Sequence, residues 1–523
     1  MNGAESVIRT LDDAGVGVCF ANPGTSEMHL VDAIDRVPGM RVVLCLFEGV
    51  VTGAADGYAR MTGMPAATLL HLGPGLGNGL SNLHNARKAQ SPVVNLVGNH
   101  ATAHQRFDAP LTTDVHAFAR TVSHWVDEPR SARDAGASTA RSVQAARVAP
   151  GQIATMILPA DSAWDEGAAP GAVFPVAGPS PVSDVAITAA VAALQTGRAG
   201  LLIRGEALRG SGLDAAGRIA AATGARLFCD TFAPRLERGA GRVPVERLPY
   251  RATPALEALD GIETLILVGS QAPVAFFSYP GQASELTPAT TSVLVLAHPH
   301  EDGTSALVDV ASVCAPDATA LVTVGELVAD APDGPLSAET VMRIVSRNLP
   351  ENAIISDEAL TSGPIGYDLL ATAAPHDVLQ LTGGAIGSGM PVAIGAAIAC
   401  PDRKVISLEG DGSAMYSIQA LWTQARERLD VTTVIFANRT YAVLEEELVM
   451  VGGGSAGPKA HSTLDLHDPS IDYVSLATGM GVRAVRARTA SEFRDAFTEA
   501  MRTTGPFLIE ADIDHTQEGS HDR

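Results

Sequence analysis

Cysteine is scarce in this 523-residue chain, and its five cysteines are scattered without a Cys-x-x-Cys pair. Such sparse cysteine argues against a disulfide framework or a zinc site and fits a reducing compartment. Charged residues make up only 18% of the chain against 46% hydrophobic, which excludes a disordered or coiled-coil protein. No run of about 18 apolar residues occurs, so we expect no helix that spans a membrane.

Basic residues are also few, with 36 lysines and arginines against 58 aspartates and glutamates, a net charge of −22. Nucleic acids and anionic membranes attract basic surfaces, so we expect neither as a partner. The first residues lack a basic segment followed by an apolar core, so we expect no signal peptide. Together these features predict a soluble, cytoplasmic, globular protein.

Short apolar runs alternate with alanine-rich, helix-like stretches along the chain. The runs are continuous rather than alternating, which is typical of parallel strands covered by helices on both faces. The pattern predicts an α/β fold of doubly wound parallel-sheet domains. The predicted strands are Val42–Phe47, Ala67–Leu72, Val93–Val97, Ile153–Leu158, Gly200–Ile203, Leu227–Cys229, Thr264–Val268, Ser292–Leu296, Ala353–Ser356, Val405–Leu408, Thr432–Phe436 and Phe507–Ile509.

Two segments rich in proline and glycine predict linkers, at 160–184 and 328–340. They divide the chain into three pieces of domain size, near 1–165, 185–328 and 340–523. We therefore expect three domains with these boundaries.

The segment Gly410-Asp411-Gly412-Ser413 directly follows the predicted strand Val405–Leu408. An aspartate at the carboxyl end of a parallel strand lies where α/β sheets bind ligands. The flanking glycines allow backbone amides to approach a phosphate, and a helix predicted to open near Tyr416 would direct its amino end at an anion. Asp-Gly is also ordinary turn chemistry.

A second polar element, Asn438-Arg439-Thr440, follows the next predicted strand, Thr432–Phe436. If the two strands are neighbours, Asp411 and Asn438 emerge at the same edge of the sheet. A carboxylate, an amide oxygen and a loop carbonyl are the hard oxygen ligands that suit Mg²⁺ bridged to phosphates. The alternative is that Asn438 forms a turn or caps a helix.

With these motifs the sequence resembles the thiamine diphosphate (ThDP)-dependent enzymes, in the branch of acetolactate synthase and benzoylformate decarboxylase. One departure is Ala437, where many members have an additional asparagine. The resemblance rests first on Gly410-Asp411-Gly412 with Asn438-Arg439-Thr440, which we call the metal loop. It also rests on Asn22-Pro23-Gly24-Thr25, Phe47-Glu48-Gly49, Ala54-Ala55-Asp56-Gly57-Tyr58-Ala59-Arg60, Gly73-Pro74-Gly75 and Gly383-Gly384-Ala385-Ile386-Gly387.

The resemblance implies ThDP and Mg²⁺ as cofactors. Its three domains would be an N-terminal pyrimidine-binding, a middle, and a C-terminal diphosphate-binding domain. The N-terminal domain of one subunit and the C-terminal domain of another would enclose ThDP, so we expect a homodimer or homotetramer. The implied cofactor-binding residues are Gly384, Ile386, Gly410, Asp411, Gly412, Ser413, Asn438 and Thr440, of which Asp411, Asn438 and Thr440 would bind the metal.

By the same resemblance Glu48 hydrogen-bonds the pyrimidine N1′ of ThDP, although a glutamate there also stabilises a helix start. Gly384 would accept a hydrogen bond from N4′ through its carbonyl, and Ile386 would support the bent form of the cofactor. His71, before Gly73-Pro74-Gly75, aligns with an active-site histidine and would move protons; otherwise it is a core residue. Thr25 would bind substrate, or would cap the following helix.

The decarboxylase branch has a second active-site histidine in the middle domain, but Val274–Tyr279 contains none. This departure favours transfer of the acyl unit to a second carbonyl. Glu445-Glu446-Glu447 would help cover the substrate site or form a solvated acidic surface. The segment 452–457 satisfies Gly-x-Gly-x-x-Gly literally, but Pro458 follows, so we predict a flexible loop, a candidate lid.

The predicted function is that of a ThDP-dependent carboligase acting on a small 2-oxo acid and a carbonyl acceptor, as in acetolactate synthase. The alternatives are a non-oxidative 2-oxo acid decarboxylase like benzoylformate decarboxylase and a catalytically silent subunit that binds the cofactor.

Overall fold

The computed structural model describes residues 1–452 and 457–513. It contains three sheets of mainly parallel strands with helices packed around them, so the predicted α/β class with three doubly wound domains is confirmed. The segment 453–456 of the predicted flexible loop lies outside the described residues. Within the described residues, no helix is both long and apolar enough to cross a bilayer.

The first sheet has the strand order β2-β1-β3-β4-β6-β5, and all its pairings are parallel. Its strands are β1 (Val18–Asn22), β2 (Arg41–Leu44), β3 (Ala66–Leu70), β4 (Val93–Asn99), β5 (Trp125–Asp127) and β6 (Ile153–Pro159). Its helices are α1 (Gly3–Asp13), α2 (Met28–Asp35), α3 (Glu48–Thr62), α4 (Leu72–Ala89), α5 (Val115–Val122), α6 (Ala132–Arg147) and α7 (Ala160–Trp164).

The middle part of the chain forms a five-stranded parallel sheet in the order β10-β8-β7-β11-β12. Its elements are α8 (Asp184–Leu194), β7 (Ala199–Ile203), α9 (Gly210–Thr223), β8 (Arg226–Cys229), β9 (Leu236–Arg238), β10 (Glu246–Arg247), α10 (Ala252–Ala258), β11 (Thr264–Val268), β12 (Ser292–Ala297) and α11 (Gly303–Cys314). The strand β9 is the exception, since it leaves this sheet and joins the third one.

In the described part of the chain, the third sheet has seven strands in the order β17-β18-β16-β15-β13-β14-β9, of which β9 runs antiparallel. Its strands are β13 (Ala353–Glu358), β14 (His376–Gln380), β15 (Val405–Gly410), β16 (Val431–Ala437), β17 (Arg483–Ala487) and β18 (Phe507–Asp512). Its helices are α12 (Ala338–Asn348), α13 (Gly363–Leu369), α14 (Gly389–Ala399), α15 (Asp411–Ala414), α16 (Ala420–Glu427), α17 (Ala442–Met450), α18 (Pro458–His461), α19 (Tyr473–Gly479) and α20 (Ala490–Arg502).

Helices α3 and α14 bring the first and third sheets together. A methyl group on Gly57 would overlap the carbonyl oxygen of Val392, and one on Gly395 would overlap that of Ala54. Glycine at these positions therefore lets the two backbones touch, and side chains of both domains share one buried core.

All twelve predicted strands are present, with ends shifted by up to three residues, and β15 and β16 are direct neighbours as assumed. Six strands escaped prediction: β1, β5, β9, β10, β14 and β17. The helix predicted to open near Tyr416 instead begins at Asp411, and the predicted linker 160–184 starts with the short helix α7.

Candidate active site

Glu48 is the first residue of α3, and its side chain is buried. The Oε2 atom accepts a hydrogen bond from Nδ2 of Asn78 on α4, at 3.0 Å. The Oε1 atom faces Gly75, where a methyl group would lie only 3.0 Å away. The carboxylate is therefore fixed by one amide, while a glycine keeps the space beside its second oxygen free of side chain.

His71 immediately precedes α4, and its ring touches a fully buried carboxylate. Its Nδ1 lies 2.7 Å from Oε2 of Glu27 and 3.2 Å from Oγ of Ser26. Because the Ser26 hydroxyl donates to Oε1 of Glu27 at 2.6 Å, the proton on Nδ1 points to Glu27. A methyl group on Gly98 would overlap Oε1 of Glu27, so β4 confines the carboxylate from the other side.

This arrangement determines the tautomer of His71. With Nδ1 donating to Glu27, Nε2 carries the lone pair in the neutral ring and is the atom available for proton transfer. His71 is thus hydrogen-bonded, as the core alternative required, and its side chain is 23% exposed, while its role in proton transfer stays a prediction. Thr25 is exposed and does not cap the following helix, because the N-cap of α2 is Glu27.

The segment Gly383–Gly387 lies against α4 of the same chain. Asn85 binds Ala385 through both backbone groups, at 2.7 Å to its oxygen and 3.2 Å from its nitrogen. Gly384 is exposed in a left-handed conformation, with φ of +74° and open space where a side chain would be. Ile386 is half-buried. Both residues are therefore accessible to a ligand, as their predicted roles require.

Asp411 and Asn438 meet at the carboxyl ends of β15 and β16, and both are buried. Oδ2 of Asp411 accepts the backbone N–H of Arg439 at 2.6 Å, which joins the two loops. Arg439 itself is left-handed, with φ of +60°. Oδ1 of Asn438 accepts the N–H of Thr440 at 3.1 Å, so the predicted turn is present alongside the predicted cradle.

This donor set fits Mg²⁺ with a diphosphate. It offers a carboxylate and an amide oxygen at one sheet edge, and its chemistry is that of hard oxygen ligands. Among the described residues, no group of three His, Cys, Asp or Glu side chains could hold a metal.

Neighbouring aromatic rings shape the same loop. A methyl group on Gly412 would clash with the ring of Tyr441, so glycine is required at this position. The hydroxyl of Tyr473, itself fully buried, donates to the carbonyl oxygen of Asp411 at 2.6 Å. Gly410 and Ser413 flank Asp411 at the start of α15.

Each of the three consecutive glutamates after the metal loop has a partner. Glu445 accepts a hydrogen bond from Oγ1 of Thr440 at 2.9 Å. Arg251 of the middle part pairs with Glu446 at 3.0 Å and with Glu447 at 2.6 Å, and Tyr279 also donates to Glu447. Glu446 is exposed, in keeping with a solvated acidic surface, whereas Glu445 and Glu447 are partly buried and connect α17 to the metal loop and to the middle domain.

Several residues of this region escaped sequence reasoning. Glu27 follows the Asn-Pro-Gly-Thr turn closely and could have been suspected from that position. Asn78 and Asn82 had no motif of their own. Glu358 and Glu409 lie on neighbouring strands and are hydrogen-bonded to each other. Burial raises the pKa of Glu358 to about 7 and that of Glu409 well above its usual value, so near neutral pH the pair retains a proton.

Two family models match the chain. Residues 1–124 match "Thiamine pyrophosphate enzyme, N-terminal TPP binding domain", and residues 367–511 match "Thiamine pyrophosphate enzyme, C-terminal TPP binding domain". Thiamine pyrophosphate is another name for ThDP. The first segment contains Glu48 and His71, and the second contains Gly384, Ile386, Asp411 and Asn438.

Whole-length relatives agree. "Putative acetolactate synthase large subunit IlvX" of Mycobacterium tuberculosis is 53% identical over 512 residues, covering 98% of each chain. "Benzoylformate decarboxylase" of Pseudomonas aeruginosa is 28% identical, covering 95% of this chain and 96% of that one. The solved "thiamine diphosphate-dependent 4-hydroxybenzoylformate decarboxylase" of Rhodococcus jostii RHA1 has the same fold, with a TM-score of 0.84, 24% identity, and coverage of 98% and 99%.

The cofactor of such enzymes is ThDP, and their usual metal is Mg²⁺. The motifs, the fold and the full-length similarity lead to one conclusion: the chain belongs to the thiamine pyrophosphate enzyme family.

Proposed function

We propose that this protein decarboxylates a small 2-oxo acid and transfers the resulting acyl unit to a second carbonyl compound, as a ThDP- and Mg²⁺-dependent carboligase. When bound, ThDP supplies a carbon nucleophile and an electron sink for the decarboxylation. The name of the 53% identical relative, an acetolactate synthase large subunit, supports this reaction class.

The residues described above would divide the work. Glu48 holds a proton at the pyrimidine ring, and Asn78 fixes its carboxylate for that task. Asp411 and Asn438, with the carbonyl of Thr440, would hold the metal and the diphosphate. Gly384 and Ile386, both accessible, would orient the ring system.

The absence of a histidine from Val274–Tyr279 is the observation that favours carboligation. This segment carries Phe276 and Phe277, both exposed, and Tyr279, which is bound to Glu447. None of these groups delivers a proton near neutral pH as histidine does. Without a histidine to deliver a proton, this segment would leave the acyl unit available for transfer to a second carbonyl compound.

A second candidate function, simple 2-oxo acid decarboxylation, is favoured by the Glu27–His71 pair. An oriented histidine can protonate a carbon or an alkoxide. A silent cofactor-binding subunit is disfavoured, because such a protein has no chemical need for Glu48, Asp411 and Asn438 together.

Product analysis separates these functions. We expect the protein, supplied with ThDP, Mg²⁺ and a panel of 2-oxo acids, to form 2-hydroxy-3-oxo products that NMR identifies. Aldehyde as the sole product would show that the protein is a decarboxylase and not a carboligase. No turnover of any substrate would support the silent subunit.

The role of Glu48 has its own test. We expect Glu48→Gln to abolish deuterium exchange at C2 of bound ThDP, measured by NMR after acid quench. Glu339→Gln is the matched control, since this carboxylate lies on the surface of α12 and pairs with Arg343. Exchange at the wild-type rate in Glu48→Gln would refute the assignment.

A further inference from the structure

A buried carboxylate of the third sheet binds the backbone that follows Ile386. Glu358, at the end of β13, is 1% exposed. Its Oε1 accepts the N–H of Gly387 at 2.6 Å, and its Oε2 accepts the N–H of Ser388 at 2.8 Å and that of Gly389. Three consecutive backbone donors thus converge on one side chain.

Such an arrangement is costly unless the donors stay in place. A carboxylate removed from water needs hydrogen bonds to its charge, and charge-assisted bonds to N–H groups are the strong kind. If the segment moved away, the Glu358 carboxylate would lose all three backbone donors and keep only its contact with Glu409. It is also packed tightly, because a methyl group on Gly389 would overlap Glu409.

The carbonyl groups of Gly387 and Gly389 are also hydrogen-bonded. Nδ2 of Asn82 donates to the carbonyl oxygen of Gly387 at 3.1 Å and to that of Gly49 at 2.8 Å. Ser356 donates to the carbonyl oxygen of Gly389 at 2.8 Å. Gly387 is therefore fixed through both its N–H and its C=O, and Ile386 is the residue directly before it.

We propose that Glu358 is a positioning residue: it fixes the backbone of Gly387–Gly389 and thereby sets where Ile386 and Gly384 support the bent cofactor. This inference rests on the proposed function, in which these two residues orient the ring system of ThDP. Glu358 acts through the backbone and touches neither substrate nor cofactor.

Glu358→Gln is the first test, because glutamine keeps the size but turns an NH₂ group toward backbone donors. We expect C2 deuterium exchange of bound ThDP to slow by about 10- to 100-fold, as expected for slight misplacement of reacting groups. The affinity for ThDP and Mg²⁺, measured by protein fluorescence, should change much less, since the diphosphate is held elsewhere.

Glu510→Gln is the matched control. Glu510 is equally buried, on β18 of the same sheet, and binds Arg486 at 2.8 and 3.0 Å. This variant should lose stability without slowing exchange at saturating ThDP. Equal exchange rates in Glu358→Gln and Glu510→Gln would overturn the proposal.

A second measurement uses the wild-type protein and does not depend on folding of a variant. Amide hydrogen exchange followed by mass spectrometry should show the N–H groups of 387–389 as protected as those of β13, with or without ThDP. Rapid exchange of these amides without ThDP would also overturn the proposal. If wild-type protein exchanges C2 and Glu48→Gln does not, the proposed ThDP chemistry stands whatever Glu358→Gln does, and product analysis decides the reaction separately.

Discussion

Oε2 of Glu27 lies 2.7 Å from Nδ1 of His71, and the Glu27 side chain is fully buried behind the ring. A buried carboxylate beside one imidazole nitrogen fixes both the tautomer and the plane of the ring. This pair joins two segments that are 44 residues apart in the chain.

Replacing Glu27 should therefore harm proton transfer by His71 rather than cofactor binding. We expect Glu27→Gln to lower kcat by roughly 10²-fold, the low end of what a positioned acid–base group contributes, and to leave the Kd for ThDP within a factor of a few. Ser26→Ala, which removes a contact to both residues, is the milder control and should lower kcat less. An unchanged kcat in Glu27→Gln would show that proton transfer does not depend on the Glu27 carboxylate.

The implied two-subunit site makes a prediction about mixtures. Glu48→Gln and Asp411→Asn should each be inactive alone. If Glu48 of one subunit and Asp411 of another form each site, random mixed dimers should recover about a quarter of wild-type activity, because half the dimers are mixed and each has one intact site. Activity assays after subunit exchange check this, with sedimentation to confirm dimers. Continued inactivity of the exchanged mixture would place each site within a single chain.

Removal of the metal should test whether Asp411 binds it. We expect wild-type protein to gain about 2.7 kcal/mol of unfolding free energy at 100 times the Kd of ThDP with Mg²⁺, and to lose this gain with EDTA. Asp411→Asn should show little gain at the same concentrations. Asp465→Asn, an exposed carboxylate paired with His467, should behave like the wild type in thermal unfolding. An equal gain in Asp411→Asn would remove Asp411 from the metal site.

His376 should make stability depend on pH. Burial lowers the pKa of His376 to about 4, from an ordinary 6.5, and its buried Nε2 has no hydrogen-bond partner within residues 1–452 and 457–513. The unfolded chain then binds more protons than the folded one between these values, so stability falls as the pH falls. We expect a loss of about 2 kcal/mol between pH 7 and pH 5 from this group alone.

Urea unfolding at both pH values measures this loss. His376→Asn should lose correspondingly less than the wild type between pH 7 and pH 5, whereas the exposed His104→Asn should follow the wild type. Identical pH dependence in all three proteins would show that His376 does not titrate in this way.

The strands that could be predicted from the sequence are those made of continuous apolar residues. The strand β14, His376–Gln380, stayed hidden because three of its five residues are polar although all are buried. Its Asp377 is neutralised by Arg235 and Arg403, which are distant in sequence. No local pattern can announce such pairing, since it exists only after folding.

The same reasoning divides the candidate site. Asp411, Asn438 and Glu48 were predicted because short motifs carry them. Glu27 and Glu358 were not, because their partners lie 44 and 29 residues away and are reached only in the folded chain. Sequence motifs therefore indicated the groups proposed to meet the cofactor but missed those that hold them in place.

The strand β9 belongs to the middle third of the chain but completes the sheet of the last third. Leu236–Arg238 pairs with β14 and forms the edge of the seven-stranded sheet, while Arg235 beside it binds Asp377. A shortened chain without residues 185–328, made to obtain a minimal coenzyme-binding protein, would lack that border. The backbone N–H and C=O groups of β14 would then be unpaired, and such an exposed edge strand promotes aggregation by pairing with other chains.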